Sequence, residues 1–248
     1  MEFKDYFSHN SKSYADSRPV YPQTLYDFIA KLPIEKQACW DVATGSGQAA
    51  VPLSSIFAKV IATDASQNQI ENATKVANID YLNEPAEQTG IPDSSIDLIT
   101  VAQALHWFSF DDFYKEVKRV AKPNAYIICW CYSLTRITPE IDAVVDQLYY
   151  DLTAPYWKPE RNYVDEEYST IPFPFQKLET PSFEMKLDWD ADQLINYLNT
   201  WSGVNEYQKA NGHNPLTLIE ADLRKAFGEG NKVNVVWPLH ILMGRVWG

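Results

Sequence analysis

Residues 38–47 read Ala-Cys-Trp-Asp-Val-Ala-Thr-Gly-Ser-Gly, an apolar run closed by a turn of small residues. No other stretch limits the fold as strongly. A short apolar run ending in Gly45 and Gly47 is a strand that enters a sharp bend, where backbone without a Cβ can lie close to a ligand. A second run, residues 59–64, closes on the carboxylate of Asp64, about 17 residues after Gly47. Strand, glycine turn, helix and a strand with a terminal acid is how α/β proteins hold an adenosine-containing cofactor.

From about residue 20 to 135 helical and strand patterns alternate, the signature of an α/β fold whose parallel sheet is covered on both faces. Helices are expected over 22–31, 48–57, 66–76 and 110–121. The second contains Pro52, which an opening turn tolerates, and the third takes Ser66 as its N-cap. Strands are expected over 38–43, 59–64, 79–82, 96–102 and 125–131, with Lys122-Pro123-Asn124 stopping the helix before the last of them. Beyond about residue 133 the alternation fails, and 150–175, rich in Pro, Tyr and acids, reads as a loop-rich cap where specificity would reside. A strand over 183–189, helices starting near Ala191 and Pro215, and strands over 233–237 and 239–246 follow.

At 248 residues, 46% hydrophobic and 22% charged, one large domain with an elaboration is expected. The net charge of -12 opposes nucleic acid, whose readers draw most of their affinity from Lys and Arg on phosphates. It does not oppose an anionic small molecule, because a few local Arg or Tyr donors outweigh the global field inside a closed pocket. Cys39, Cys129 and Cys131 all lie in apolar strand-like runs, which suits buried thiols in a reducing compartment and a cytoplasmic protein. Cys129 and Cys131 share a strand face, but two thiols without a nearby His or further Cys pair make a poor zinc site, so no metal is expected. The opening Met1-Glu2-Phe3-Lys4-Asp5 lacks an apolar signal core, and no apolar run approaches the roughly 20 residues that span a bilayer; neither export nor a membrane partner is expected.

Asp41 stands beside the glycine turn, where it would repel a pyrophosphate and welcome an ammonium group. That favours a cationic, amino-acid-like cofactor. In a G-x-G-x-x-G loop the last slot would fall on Ala50 and an earlier one on Ala43; Ala is allowed in the last slot, so a nicotinamide-dependent oxidoreductase is the alternative. Asp64 at a strand's carboxyl edge can accept both ribose hydroxyls, or simply start a helix. Glu87, in Glu84-Pro85-Ala86-Glu87, follows the third strand, where its side chain or a neighbouring amide could meet an adenine edge.

Together these segments resemble the class I S-adenosylmethionine-dependent methyltransferases, whose pattern is an acidic-x-Gly-x-Gly-x-Gly loop, an acid after strand two and an acid-containing turn after strand three. Ala43 replaces the first glycine and keeps a small residue there. The likeness continues through residues 90–99, Gly-Ile-Pro-Asp-Ser-Ser-Ile-Asp-Leu-Ile, and through Glu116, Arg119, Val120, Lys122 and Pro123. Gln103-Ala104-Leu105-His106-Trp107-Phe108 and Arg18-Pro19-Val20-Tyr21-Pro22 are similar to the trans-aconitate methyltransferase-like branch.

The resemblance implies a Rossmann-like, seven-stranded, mostly parallel sheet with helices on both faces and a C-terminal cap. In one domain, 1–35 would be an N-terminal lid, 36–135 the cofactor core, 136–232 the cap and substrate region, and 233–248 the terminal sheet-edge strands. S-adenosylmethionine would be held by Tyr14, Asp41, Ala43, Gly45, Gly47, Asp64, Ala65, Ala86, Glu87 and Gln103. Tyr14, Arg18, His106 and Trp107 would face the acceptor, with Tyr21 a further roof candidate.

A sulfonium methyl is already activated, so transfer needs mainly alignment and exclusion of water. A carboxylate acceptor is ionised at neutral pH and needs only donors such as Arg18, Tyr14 or His106; a hydroxyl or carbon acid would make His106 a general base. His106 could equally be a packing residue. Tyr197, Trp201 and Tyr207 face either core or cavity, with core favoured, and Arg161 beside Trp157 and Tyr163 either meets an anionic substrate or is a solvated surface residue. The leading expectation is O-methylation of a small carboxylate by a monomer or homodimer. A non-catalytic cofactor-binding protein is the other alternative.

Overall fold

The computed structural model describes residues 19–247. Five strands, β1 (Ala38–Val42), β2 (Lys59–Thr63), β3 (Ile79–Leu82), β4 (Ile96–Ala102) and β5 (Ala121–Cys131), run parallel in the order β3-β2-β1-β4-β5. They are joined by helices, because parallel neighbours need a crossover connection. Order reverses between β1 and β4, and at such a point the carboxyl ends of the strands diverge into a crevice.

The antiparallel edge is built by β6 (Gln176–Leu178), β7 (Phe183–Trp189) and β8 (Val233–Arg245). The sheet thus has eight strands where seven are expected. The two expected terminal strands are a single β8: its first half pairs with β7 and its second half with β5 and β6. Pro238 stands close to the changeover, where a missing N–H does least harm.

Burial of β5 alternates between two cores. Tyr126, Ile128 and Trp130 enter one, and Ala125, Ile127, Cys129 and Cys131 the other. The three cysteines are buried free thiols, and Cys129 and Cys131 share a face as expected. Against the first core packs α1 (Gln23–Ala30), through Leu25, Tyr26 and Ile29. Against the other lies α4 (Phe110–Val120), through Phe113, Val117 and Val120. Each fully buried large apolar side chain contributes roughly 1.5–3 kcal/mol.

Two early helices are shorter than their patterns. α2 (Ala50–Leu53) is a single turn, continued by turn hydrogen bonds to Phe57, with Pro52 in the opening turn that tolerates it. α3 (Gln67–Asn72) ends four residues early, and Ser66 at its N-cap makes no side-chain cap; the Asp64 carboxylate instead accepts the Ser66 N–H. β5 begins four residues early, running through Lys122-Pro123-Asn124 with a register break against β4 between Ile96 and Leu98.

The segment expected to be loop-rich, 150–175, holds only short helical turns among bends and loops, and the cap's longer helices lie outside it. The cap comprises α5 (Pro139–Asp146), a π-helical turn over Gln147–Leu152, a 3-10 turn over Ala154–Tyr156 and α6 (Arg161–Asp165). After β7 come α7 (Ala191–Asn199), with an Asp190–Gln193 capping box, the unforeseen α8 (Ser202–Asn211), a 3-10 turn over Pro215–Leu218 and α9 (Glu220–Phe227). Among the described residues no helix is long and apolar enough to cross a membrane, and no cluster could hold a metal ion.

Candidate functional site

Asp41 at the end of β1 is fully buried. Its two oxygens accept the hydroxyls of Thr44 at 2.6 Å and Thr100 at 2.8 Å. Burial raises its pKa to about 6, against the opposing pull of those hydrogen bonds. Asp41 therefore joins the turn to β4.

That loop bends through three left-handed residues, Ala43 (φ 50°), Gly45 (φ 57°) and Gly47 (φ 90°). Ala43 adopts a conformation that costs a non-glycine residue about 1–2 kcal/mol. The loop is pinned by Thr44 N–H to Thr63 O at 2.9 Å and Gly47 N–H to Thr44 O at 3.0 Å. Above Gly45, among the described residues, a Cβ would come within 4 Å only of Gln69 Oε1, at 3.9 Å, so this face of the backbone forms a cradle. Gly47 is closed instead: a Cβ there would fall 2.3 Å from Tyr81 Oη.

Asp64, half-buried after β2, accepts the Gly45 N–H at 2.8 Å and, on its other oxygen, the Ser66 N–H at 2.8 Å. Each carboxylate oxygen can accept two hydrogen bonds, so these contacts orient the group without exhausting its capacity. Ala65 follows it, half-buried. Asp41, Ala43, Gly45, Gly47, Asp64 and Ala65 are thus assembled at the carboxyl edge of β1 and β2. A carboxylate beside a backbone cradle suits an adenosine ribose and an adjoining amino-acid tail.

After β3, Ala86 is buried in the core and Glu87 accepts the Ser109 N–H at 3.0 Å, tying this turn to the start of α4. Gln103, at the end of β4, is left-handed (φ 56°). Its side-chain amide donates to Tyr132 O at 3.0 Å and accepts from Tyr132 N–H at 2.8 Å, extending the β4–β5 ladder by one more rung. The Gln103 amide is thereby committed to the sheet.

His106 lies in a 3-10 turn over Leu105–Trp107 and is buried. Its Nδ1 is 2.9 Å from Tyr168 Oη of the cap. Burial, aided by the nearby Arg161 charge, lowers its pKa to about 3, so the imidazole is neutral. Trp107, packed on the His106 ring at 4.8 Å, is 37% exposed. Tyr21 is buried edge-on against Trp130 at 5.3 Å. Tyr14 and Arg18 lie outside the described residues.

A small cavity of about 50 Å³ opens at the ends of β4 and β5. Gln103, Tyr132 and Ser133 line it from the sheet, and Trp157, Arg161 and Trp201 from the cap. Arg161 Nε donates to Tyr149 Oη at 2.9 Å and to Asp165 at 3.1 Å, while its guanidinium carbon lies 5.5 Å from the Tyr149 ring and 5.3 Å from that of Trp157. Tyr197 and Trp201 are buried and also line this cavity, so they face both core and cavity; Tyr207 packs on Tyr156 instead. Trp157 and Asp165, each four residues from Arg161, were visible locally; Tyr149 and Trp201 reach it through the folding of the cap.

Residues 40–129 match the family model described as a methyltransferase domain. A protein of Dictyostelium discoideum, described as a candidate methyltransferase, is 38% identical over 252 residues, covering 98% of this chain and 96% of that one. A solved structure described as a candidate type II methyltransferase from Anaeromyxobacter dehalogenans superimposes with a TM-score of 0.87 at 41% identity, covering 93% of this chain and 98% of that chain. A malonyl-acyl-carrier-protein O-methyltransferase of a Marinomonas species is 33% identical over 132 residues, 50% of this chain and 48% of that protein.

Proposed function

The chain belongs to the class I S-adenosylmethionine-dependent methyltransferases, and from that premise we propose that it methylates a carboxylate oxygen of a small molecule. The observation that carries this reading is the state of His106, the histidine beside the crevice. It is buried, bonded to Tyr168 and held neutral with a pKa of about 3, so it is a poor proton acceptor at neutral pH. An acceptor that arrives already ionised needs no base, and a carboxylate is one.

The cofactor supplies a methyl group activated on a sulfonium. In this reading Asp64 holds the ribose, the backbone of Ala43, Gly45 and Gly47 lies along the amino-acid portion, Asp41 keeps that backbone in place, and Ala65, Ala86 and Glu87 border the adenine. Gln103 acts through the strand end that it props, while Tyr14 belongs to the roof of the site. Arg18 and Trp107 are assigned to the acceptor side; His106 acts by anchoring the cap through Tyr168. Residues 136–232 form the acceptor's compartment. The printed name of the Marinomonas relative, an O-methyltransferase, supports the oxygen acceptor. So does the likeness of residues 103–108 to the trans-aconitate methyltransferase-like branch.

Calorimetric titration with S-adenosylmethionine tests the cofactor half. Asp64→Ala is expected to lower the affinity at least tenfold, and an unchanged constant removes the ribose assignment. The acceptor half is tested by incubating enzyme, metabolite extract and methyl-labelled cofactor. A carboxyl methyl ester releases its label as volatile methanol in alkali, whereas label that stays with the product overturns the carboxylate reading.

A further inference from the structure

We propose that Arg161 is an anion receptor in the cap that binds the carboxylate of the acceptor, with Tyr149 and Asp165 as its positioning residues. This rests on the methyl-transfer reading above. Arg161 is the one cation among the described residues lining the cavity. Only its Nε is engaged: it donates to Tyr149 Oη at 2.9 Å and Asp165 Oδ1 at 3.1 Å, and neither terminal amino group has a hydrogen-bond partner among the described residues. The side chain is 22% exposed. With four N–H groups unmatched by the described residues, this arginine presents a planar fork of donors to an acceptor-only group in the cavity.

The arrangement fixes where the guanidinium points. Tyr149 Oη donates to Asp165, lying 2.8 and 2.7 Å from its two oxygens, while accepting from Arg161 Nε. The rings of Tyr149 and Trp157, 4.7 Å apart, pack on each other, and the cation lies beside both. Cation–π contact and the Nε bond together remove the flexibility of a long side chain, which is how a planar fork becomes selective for a carboxylate. Trp157 Nε1, also on a residue lining the cavity, is a second buried donor without a partner among the described residues. Gly203 permits this wall, since a Cβ there would lie 2.6 Å from Trp157 Cε2.

A receptor of this kind separates substrate from product. As a carboxylate oxygen forms its bond to the methyl carbon, the carbon–sulfur bond breaks with its electron pair left on sulfur. No proton moves, and the anion becomes a neutral ester. The ester has lost the charge that Arg161 recognises, so it should bind more weakly than the acid.

The test uses the full-length protein saturated with S-adenosylhomocysteine, so that no turnover occurs. Tryptophan fluorescence is titrated with propionate and benzoate, and with their methyl esters as neutral controls. The acids are expected to change the signal and the esters to bind at least tenfold more weakly. Arg161→Gln should weaken acid binding at least tenfold, Arg161→Lys less, and Tyr149→Phe two- to fivefold, all with unchanged S-adenosylhomocysteine affinity by calorimetry. Acids and esters binding alike, no acid-dependent signal, or acid affinity indifferent to Arg161→Gln overturns the proposal. Should Arg161→Gln not fold, acid affinity unaltered in Tyr149→Phe overturns it equally. Failure of the unaltered protein to bind S-adenosylhomocysteine sinks the cofactor reading instead.

Discussion

At the scale of single residues, the chemistry of the site is largely backbone chemistry, and side chains serve to hold it. Asp41 and Asp64 were both legible as acids at strand ends, but their roles divide by burial. Asp41 spends its oxygens on Thr44 and Thr100, while Asp64 stays half-exposed at the crevice. Gly47 shows how a single hydrogen can be required. At φ 90°, with Tyr81 Oη 2.3 Å from a would-be Cβ, Gly47→Ala must both strain the backbone and push Tyr81 off its 2.9 Å bond to Thr74 O. Gly47→Ala is expected to destabilise the fold by about 2 kcal/mol in chemical denaturation. In a Tyr81→Phe background the penalty should shrink, and full additivity would show that the hydroxyl is not the obstacle. Gln103 was expected at the cofactor edge. It stands at the end of β4, and its amide is taken by Tyr132, a partner 29 residues away that no local pattern reveals.

At the scale of elements, several residues that carried the family likeness are staples between strands. Asp97, 4% exposed at the start of β4, accepts the N–H groups of Gln37 and Ala38 where β1 begins and pairs with Lys122 of β5 at 2.8 Å. Arg119 does similar work, donating from α4 to Ile91 O, Thr89 O and Glu116. Removing Asp97 strands two backbone donors and leaves Lys122 only its longer contact with Glu35, so Asp97→Ala should lower the unfolding free energy by about 3 kcal/mol. Because this staple lies at the opposite end of β1 from the glycine loop, cofactor affinity of the folded fraction should be unchanged; a parallel loss would place Asp97 in the site's support. Element boundaries failed where a partner overrode propensity. The helix ends at Val120, as the stop at Lys122-Pro123-Asn124 implied, yet the strand expected from Ala125 already begins at Ala121 and runs through that stop. Two strands were expected over 233–237 and 239–246, yet β8 runs on through Pro238 by exchanging one partner for others.

At the scale of the molecule, the His106–Tyr168 bond fastens the cap to the sheet and makes that junction sensitive to acid. The folded protein keeps His106 neutral, with a pKa of about 3, whereas the unfolded chain protonates it near the ordinary 6.5. Its contribution is therefore fully present above about pH 6.5 and lost as pH falls toward 3. At about pH 5 the deficit should be about 2 kcal/mol. Stability curves of the unaltered protein and His106→Gln isolate it, because the opposite contribution of Asp41, whose raised pKa favours the protonated folded state, is common to both. Equal slopes below pH 6.5 would mean that the imidazole protonates freely in the folded state.

Periodicity and turn chemistry act between neighbours in the chain, so the alternating core, the left-handed loop after β1 and the carboxylate after β2 could be read from order alone. The cap could not. Arg161, Tyr149, Trp157 and Trp201 are separated by turns whose path depends on what they pack against, and a cation enclosed by aromatic rings looks, in one dimension, like any charged residue on a surface. Only the three-dimensional arrangement distinguishes the two, because the unmatched hydrogen-bond donors of a guanidinium are a property of its enclosure and not of its neighbours along the chain.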